Sequence, residues 1–209
     1  MLGPMPPAEF IPIAERTGMM GAVTAWVIDR ALADLRRWTE IGFRNGVSIN
    51  VSALNLSEKD FVDRLWETIA RRGVDPERVE LEFTEGASLR DAPRVRETMA
   101  ELVGIGVRVS IDDFGAGHSN LSYLRDLPAS TLKIDRSFVR SLGVNPRDQI
   151  IVRSVIALAH ALEYHVVAEG IEDASTLALL VAWGCDEGQG YHISRPMPPD
   201  ALLSWLGGR

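Results

Sequence analysis

The chain is 209 residues long, with 46% apolar and 24% charged residues, which is the composition of one globular domain with a sizeable core. Its net charge of −7 argues against broad, non-specific binding to DNA, but it leaves open a phosphate ligand bound through metal ions at one site. No apolar run reaches the roughly 18 to 20 residues of a membrane span, and the first residues lack the pattern of a secretory signal. We therefore expect a soluble protein in the cytoplasm.

Short apolar or β-branched runs alternate with amphipathic helical patterns along the chain. The sequence predicts strands at residues 47–51, 79–84, 107–111, 131–134, 165–168 and 188–193. It predicts helices at residues 23–40, 61–72, 94–105, 149–162, 174–183 and 199–206. Gly73, Gly104 and Gly184 stand where helices are expected to end in a left-handed residue. The strands recur about every 25 to 35 residues, which favours a parallel sheet with helices outside it.

Polar side chains come at or just past the C-terminal ends of the predicted strands. They are Asn50, Glu82 with Glu85, Asp112 with Asp113, Lys133 with Asp135, Glu169 with Glu172, and Gln189. Catalytic groups gathered from the ends of many strands are typical of a (β/α)8 barrel, whose chemistry lies on its C-terminal face. The sequence therefore favours an α/β fold of the TIM-like (β/α)8 barrel type, and an open doubly wound sheet is the alternative.

Asp112 and Asp113 are adjacent and come directly after an apolar run. Two unpaired carboxylates at the mouth of an apolar barrel are costly. Mg²⁺ or Mn²⁺ would relieve that cost through oxygen ligands, of which Asn50 and Glu82 offer two more. Two such ions would bridge a phosphodiester and supply a nucleophile near neutral pH. The alternative is that the two aspartates only cap the glycine-containing turn that follows.

Lys133 and Glu169 suit the same reaction. Lys133 lies on a predicted strand and would present a fixed positive charge to a water molecule or a phosphate oxygen. Glu169 lies between a predicted strand and Gly170, where a partly desolvated carboxylate acts well as a general base. The alternatives are a solvated Lys133 or one paired with Asp135, and a capping or ion-pairing role for Glu169.

The order of these motifs resembles the EAL family of cyclic di-GMP phosphodiesterases. The resemblance rests on residues 50–52 (NVS), 82–85 (EFTE), 111–117 (IDDFGAG), 132–135 (LKID), 168–172 (AEGIE) and 184–191 (GCDEGQGY). Residues 10–18 (FIPIAERTG) also resemble a segment that follows the family's glutamate-alanine-leucine motif. Six motifs in the family's order, over essentially the whole chain, make the resemblance specific.

The resemblance implies a role for each of these strand-end residues. Asn50, Glu82, Asp112 and Asp113 would be metal ligands, with Asp113 between two ions. Lys133 and Glu169 would orient and deprotonate the attacking water. Gln189, Asp135 and Glu172 would bind water or substrate at the same rim. Glu85 would anchor the loop at residues 114–121, which in the family links ligand binding, metal placement and dimerisation.

The resemblance also implies an activity and its partners. Family members cleave cyclic di-GMP to linear pGpG with Mg²⁺ or Mn²⁺ and are inhibited by Ca²⁺. We expect this chain to bind cyclic di-GMP and to form a homodimer. The resemblance leaves open whether a sensory or regulatory domain lies upstream.

Two departures from the family pattern bear on activity. The chain begins after the place of the glutamate-alanine-leucine motif, so we expect a barrel incomplete at its N-terminus and one missing metal ligand. Ala116 and His118 replace a threonine and a tyrosine that are common in the family's loop. Losing a ligand weakens a two-metal site. The alternative to hydrolysis is therefore a catalytically inactive module that binds cyclic di-GMP or serves a regulatory interaction.

Overall fold

The computed structural model describes residues 5–84, 92–115 and 124–207. These residues form two compact units. The first comprises residues 5–83 and 92–108, and the second comprises Thr84, residues 109–115 and residues 124–207. Within these ranges, no helix has the length and apolar character needed to cross a membrane.

The first unit is mainly helical and carries two strands among its described residues. In chain order its elements are α1 (Pro7–Thr17), α2 (Met20–Glu40), β1 (Val47–Asn50), α3 (Ala53–Leu56), α4 (Phe61–Arg72), a 3-10 turn (Pro76–Arg78), β2 (Val79–Thr84, of which Thr84 belongs to the second unit) and α5 (Ala92–Gly104). β1 and β2 run parallel, with a register that extends from Val47↔Val79 to Asn50↔Glu82.

α4 illustrates how the sequence forms the core of the first unit. Phe61, Leu65 and Ile69 recur every fourth residue, so they lie on one face of the helix and are buried. α2 packs against α4 and buries Leu32. Gly73 ends α4 with a φ of 61°, as the sequence predicts for that position.

The second unit contains parallel strands with helices between them. Its elements are β3 (Arg108–Phe114, of which Arg108 belongs to the first unit), β4 (Thr131–Ile134), α6 (Arg136–Val139), α7 (Pro146–Ala161), β5 (His165–Glu169), α8 (Ala174–Ala182), β6 (Glu187–Gln189) and α9 (Pro199–Gly207). β4 pairs with β3 and with β5, and β5 pairs with β6. The described part of the chain thus has six strands that alternate with helices as predicted, where a closed barrel has eight.

Side chains of β3, β4 and β5 alternate between two faces of the sheet. One face is apolar and buried, and it carries Val109, Ile111, Leu132, Ile134, Val166 and Ala168. The intervening positions carry the polar side chains of Ser110, Asp112, Thr131, Lys133 and Glu169. The alternation that builds the core therefore also brings polar groups from three strands to one face.

The predicted extent of the sixth strand, residues 188–193, is wrong. β6 covers only Glu187–Gln189, because the chain turns at Gly190. A Cβ atom at Gly190 would lie 2.1 Å from the carbonyl oxygen of Ile171, so only glycine fits there. The N–H group of His192 then donates to the same oxygen at 3.0 Å.

Several helix boundaries also differ from the prediction. α5 extends through Gly104, and the left-handed residue is Gly106, with a φ of 89°. The sequence does not predict α1, α3 or α6. Pro12 interrupts the helical pattern of α1, and the other two helices have only four residues each, too few to establish a period.

Candidate active site

Asp112 and Asp113 lie within β3, so the predicted end of this strand at residue 111 is three residues too early. The register of β3 against β4 shifts between Ile111 and Phe114, and Asp113 has a φ of 55°. Such irregularities re-aim side chains and are common beside active sites. The N–H group of Asp113 donates to Oδ1 of Asp112 at 2.9 Å, which ties the two residues together.

Lys133 places a buried ammonium group between two carboxylates. Its Nζ atom lies 2.5 Å from Oε1 of Glu169 and 3.4 Å from Oδ1 of Asp112. Only 4% of Lys133 is exposed, so the alternative of a solvated lysine is wrong. A buried charge of this kind is retained where it is paired. The structure therefore joins Lys133, Glu169 and Asp112 in one ion-paired group.

The carboxylates of Asp112, Asp113 and Glu169 form an acidic cluster. One oxygen atom from each lies within 4.8 Å of the others. Burial, followed by the charge of Asp112 and a hydrogen bond with Asp135, raises the pKa of Asp113 to about 6. A divalent cation would relieve this crowding, and carboxylate oxygens are the ligands that Mg²⁺ and Mn²⁺ prefer. The residues present therefore fit the predicted metal.

Asp135 is buried at the N-cap of α6 and is linked to the acidic cluster. Its Oδ1 atom accepts the N–H group of Ser137 at 2.9 Å and also the hydroxyl group of Ser137. The N–H group of Asp135 donates to the carbonyl oxygen of Phe114 at 3.4 Å, and its carboxyl group contributes to the raised pKa of Asp113. Burial acts to raise the pKa of Asp135, but the bonds from Ser137 outweigh it and keep that pKa below its ordinary value. Of these two carboxyl groups, Asp135 is therefore the more readily ionised and Asp113 the more readily protonated.

Gln189 and Glu172 lie near the same strand ends. Gln189 is directly opposite Glu169 in the register of β5 with β6, and its side chain is exposed. Oε1 of Glu172 lies 2.6 Å from Nη2 of Arg140, with both side chains half-exposed. The predicted contact of Gln189 and Glu172 with water or substrate stays a prediction.

Asn50 and Glu82 are neighbours on the paired strands of the first unit. They stand opposite each other in the register of β1 with β2, and Glu82 is 6% exposed while Asn50 is exposed. Their role as metal ligands stays a prediction. Glu85 and most of the predicted loop at residues 114–121 lie outside the described residues.

Ser137 and Gly170 contribute to the site without having been predicted to do so. Ser137 is the second residue after Asp135, and an aspartate followed two residues later by serine is a recognisable capping pattern. Gly170 follows Glu169 with a φ of 76°, and a Cβ atom there would lie 2.5 Å from Cβ of Arg136. The sequence signals a turn at Gly170, but the close approach of α6 is visible only in the structure.

The chain matches the family model described as "EAL domain" over residues 2–196. It is 43% identical over 205 residues to a cyclic di-GMP phosphodiesterase of Pseudomonas aeruginosa, covering 98% of this chain and 35% of that protein. It is 38% identical to the bifunctional diguanylate cyclase/cyclic di-GMP phosphodiesterase MucR of the same species, covering 97% of this chain and 30% of MucR. The chain thus spans about a third of the length of these relatives.

Solved structures also resemble this chain. The phosphodiesterase PaMucR in complex with c-di-GMP has a TM-score of 0.92 and 38% identity, covering 95% of this chain and 81% of that one. The EAL domain of Mycobacterium smegmatis DcpA has a TM-score of 0.85 and 40% identity, covering 91% and 86%. These similarities confirm the predicted fold class, an incomplete TIM-like (β/α)8 barrel. From its family match, its relatives and its fold, the chain belongs to the EAL domain family.

Proposed function

We propose that this chain hydrolyses cyclic di-GMP to linear pGpG with Mg²⁺ or Mn²⁺. The observation that carries the proposal is the buried Lys133, paired with Glu169 and Asp112 beside the carboxylate of Asp113. Relatives at about two-fifths identity are named cyclic di-GMP phosphodiesterases, and a similar structure holds c-di-GMP. Both lines of support concern the EAL domain that this chain matches.

Asp112 and Asp113 are the proposed metal ligands of the second unit. Their carboxylates offer hard oxygen atoms. The pKa of Asp113 is raised first by burial and then by the negative charge of Asp112, so a cation at this place would be stabilising. A bound ion in such a site neutralises charge on the phosphodiester and activates water. Asn50 and Glu82 remain predicted ligands from the first unit.

Glu169 is proposed as the general base, and Lys133 holds it in position. Glu169 accepts a proton from the attacking water as the water oxygen bonds to phosphorus. One phosphorus–oxygen ester bond breaks, the departing ribose oxygen takes up a proton from solvent, and Glu169 later releases its proton to solvent. The product is a linear dinucleotide with one terminal phosphate. The short contact between Nζ of Lys133 and Oε1 of Glu169 limits the rotation of the carboxylate.

Incubation of the purified chain with cyclic di-GMP and Mn²⁺ tests this proposal. We expect chromatography to detect pGpG, and we expect EDTA to stop its formation. Binding of cyclic di-GMP without any product would instead favour the non-hydrolysing binding module. Neither binding nor product would contradict both ligand-based functions.

Substitution of the two predicted ligands in the first unit tests their role. Glu82→Gln and Asn50→Ala should each weaken Mn²⁺ binding, by about 10- to 100-fold if they hold the metal as predicted. Glu77→Gln is the matched control, because Glu77 is an exposed glutamate two residues before β2. Unchanged Mn²⁺ affinity in both variants would remove Asn50 and Glu82 from the ligand set.

A homodimer in the cytoplasm is also part of the proposal. Light scattering should give a mass of two chains for the purified protein. A mass of one chain across the concentration range of the activity assay would contradict the dimer.

A further inference from the structure

Asp135 connects the first turn of α6 to the acidic cluster. On one side, its Oδ1 atom accepts both the N–H group and the hydroxyl group of Ser137. On the other side, the N–H group of Asp135 donates to the carbonyl oxygen of Phe114 at 3.4 Å, which holds Asp135 next to Asp113, and its carboxyl group acts on that of Asp113. Asp135 is only 8% exposed, so few orientations are open to its carboxylate once Ser137 has bound one oxygen. The orientation of Asp135 therefore depends on Ser137.

The start of α6 is itself fixed against the end of β5. A Cβ atom at Gly170 would lie 2.5 Å from Cβ of Arg136, the first residue of α6. Gly170 directly follows Glu169, whose carboxylate belongs to the acidic cluster. Ser137 thus projects from a turn whose position is set by the same strand end that carries Glu169.

We propose that Ser137 is a positioning residue of the metal site, which orients Asp135 and, through it, the ligand Asp113. The inference rests on the proposed function, because it takes Asp113 as a ligand of Mg²⁺ or Mn²⁺. Groups that hydrogen-bond to metal ligands commonly change metal affinity by about 10- to 100-fold. A serine that only stabilises the start of a helix has no such effect.

The chain contains a matched control for this serine. At the N-cap of α8, Asp173 accepts the hydroxyl group of Ser175 and the N–H group of Thr176, so an aspartate is again followed two residues later by a bonded serine. Asp173 does not belong to the acidic cluster found among the described residues. Loss of the Ser175 hydroxyl therefore removes the same type of capping bond without disturbing Asp113.

The experiment measures Mn²⁺ binding to the whole chain, without nucleotide, by electron paramagnetic resonance of the free ion. Ser137→Ala should raise the apparent Kd by up to about tenfold, the lower end of that range, because Ser137 acts on Asp113 only through Asp135. Ser137→Thr should bind like the wild type, because Ser137 is exposed and has room for a methyl group. Ser137→Val has the shape of threonine without its hydroxyl and should behave like Ser137→Ala. Ser175→Ala should keep the wild-type Kd.

The outcomes separate this inference from the proposed function. Equal Mn²⁺ affinity in Ser137→Val and Ser137→Thr would overturn the inference, as would an equal loss in Ser175→Ala. If the Ser137 variants behave as expected but the wild type forms no pGpG, the proposed function fails and the role of Ser137 stands. A wild-type chain that binds no Mn²⁺ would refute both. Melting temperatures in EDTA show whether each variant is folded.

Discussion

Replacement of Lys133 by methionine tests the buried ion-paired group most sharply. Methionine has similar length and volume but no charge, so packing is kept while the carboxylates of Glu169 and Asp112 lose their shared cation. Asp113 adds a third carboxylate to the same cluster. We therefore expect Lys133→Met to destabilise the metal-free protein at pH 7.

The expected size follows from the burial of the partners. The side chains of Lys133, Asp112 and Glu169 are 5%, 11% and 17% exposed. Removing one member of a buried pair costs about 3 to 5 kcal/mol, and the partial exposure of Glu169 favours the lower end, about 3 kcal/mol. For a chain of this length, about 3 kcal/mol corresponds to a fall in Tm of roughly 6 to 12 °C.

The assay is thermal unfolding of Lys133→Met in EDTA at pH 7 and pH 5. The loss of Tm should be smaller at pH 5, because Asp113, whose pKa is about 6, then carries a proton and no longer adds its negative charge to the cluster. Lys59→Ala is the control, since Lys59 is exposed and is the other lysine of the chain. A Tm of Lys133→Met within about 2 °C of the wild type at pH 7, less than 1 kcal/mol, would refute the reasoning.

Three further predictions concern Asp113 and Gly170. The pKa of Asp113, about 6, lies above its ordinary value, so the folded state binds this proton more tightly and loses stability as the pH rises from about 4 to 6. Asp113→Asn should therefore raise the Tm in EDTA at pH 7 and stop hydrolysis, and an unchanged or lower Tm would contradict this. In the wild type, Mn²⁺ has to displace the proton of Asp113, so the apparent affinity for Mn²⁺ should fall about tenfold per pH unit below pH 6 and level off above pH 6. The same Mn²⁺ affinity at every pH from 5 to 8 would contradict this prediction. Gly170→Ala should cost about 1 to 3 kcal/mol of unfolding free energy and slow hydrolysis, because residue 170 has a φ of 76° and a Cβ atom there would meet Arg136. The control is Gly143→Ala, which has open space around it and should unfold like the wild type.

The sequence predicts the alternation of strands and helices because periodicity records which faces are buried. The buried positions of α4 repeat every fourth residue, and the apolar run before Asp112 forms most of β3. It also predicts that Asp112, Lys133 and Glu169 come together, since parallel strands bring their carboxyl ends to one edge. Lys133 contacts both carboxylates, as expected.

Features that depend on contacts between distant residues could not be predicted in this way. The turn at Gly190 is imposed by the backbone of Ile171, which no local pattern reveals. The bulge in β3 depends on pairing with β4, so Asp113 was predicted to lie after the strand rather than within it. The buried state of Lys133 likewise depends on Asp112 and Glu169, which lie on separate strands and far from Lys133 in sequence.

The most direct measurement of the central claim compares cyclic di-GMP turnover by the wild type and by Glu169→Gln in the presence of Mn²⁺. The wild type should release pGpG, and Glu169→Gln should retain nucleotide binding while its turnover falls by at least about 100-fold, the usual effect of losing a general base. Glu101→Gln, at an exposed position of α5, should hydrolyse at the wild-type rate. Absence of product from the wild type, or wild-type turnover in Glu169→Gln, would contradict the claim that this cluster carries out the hydrolysis.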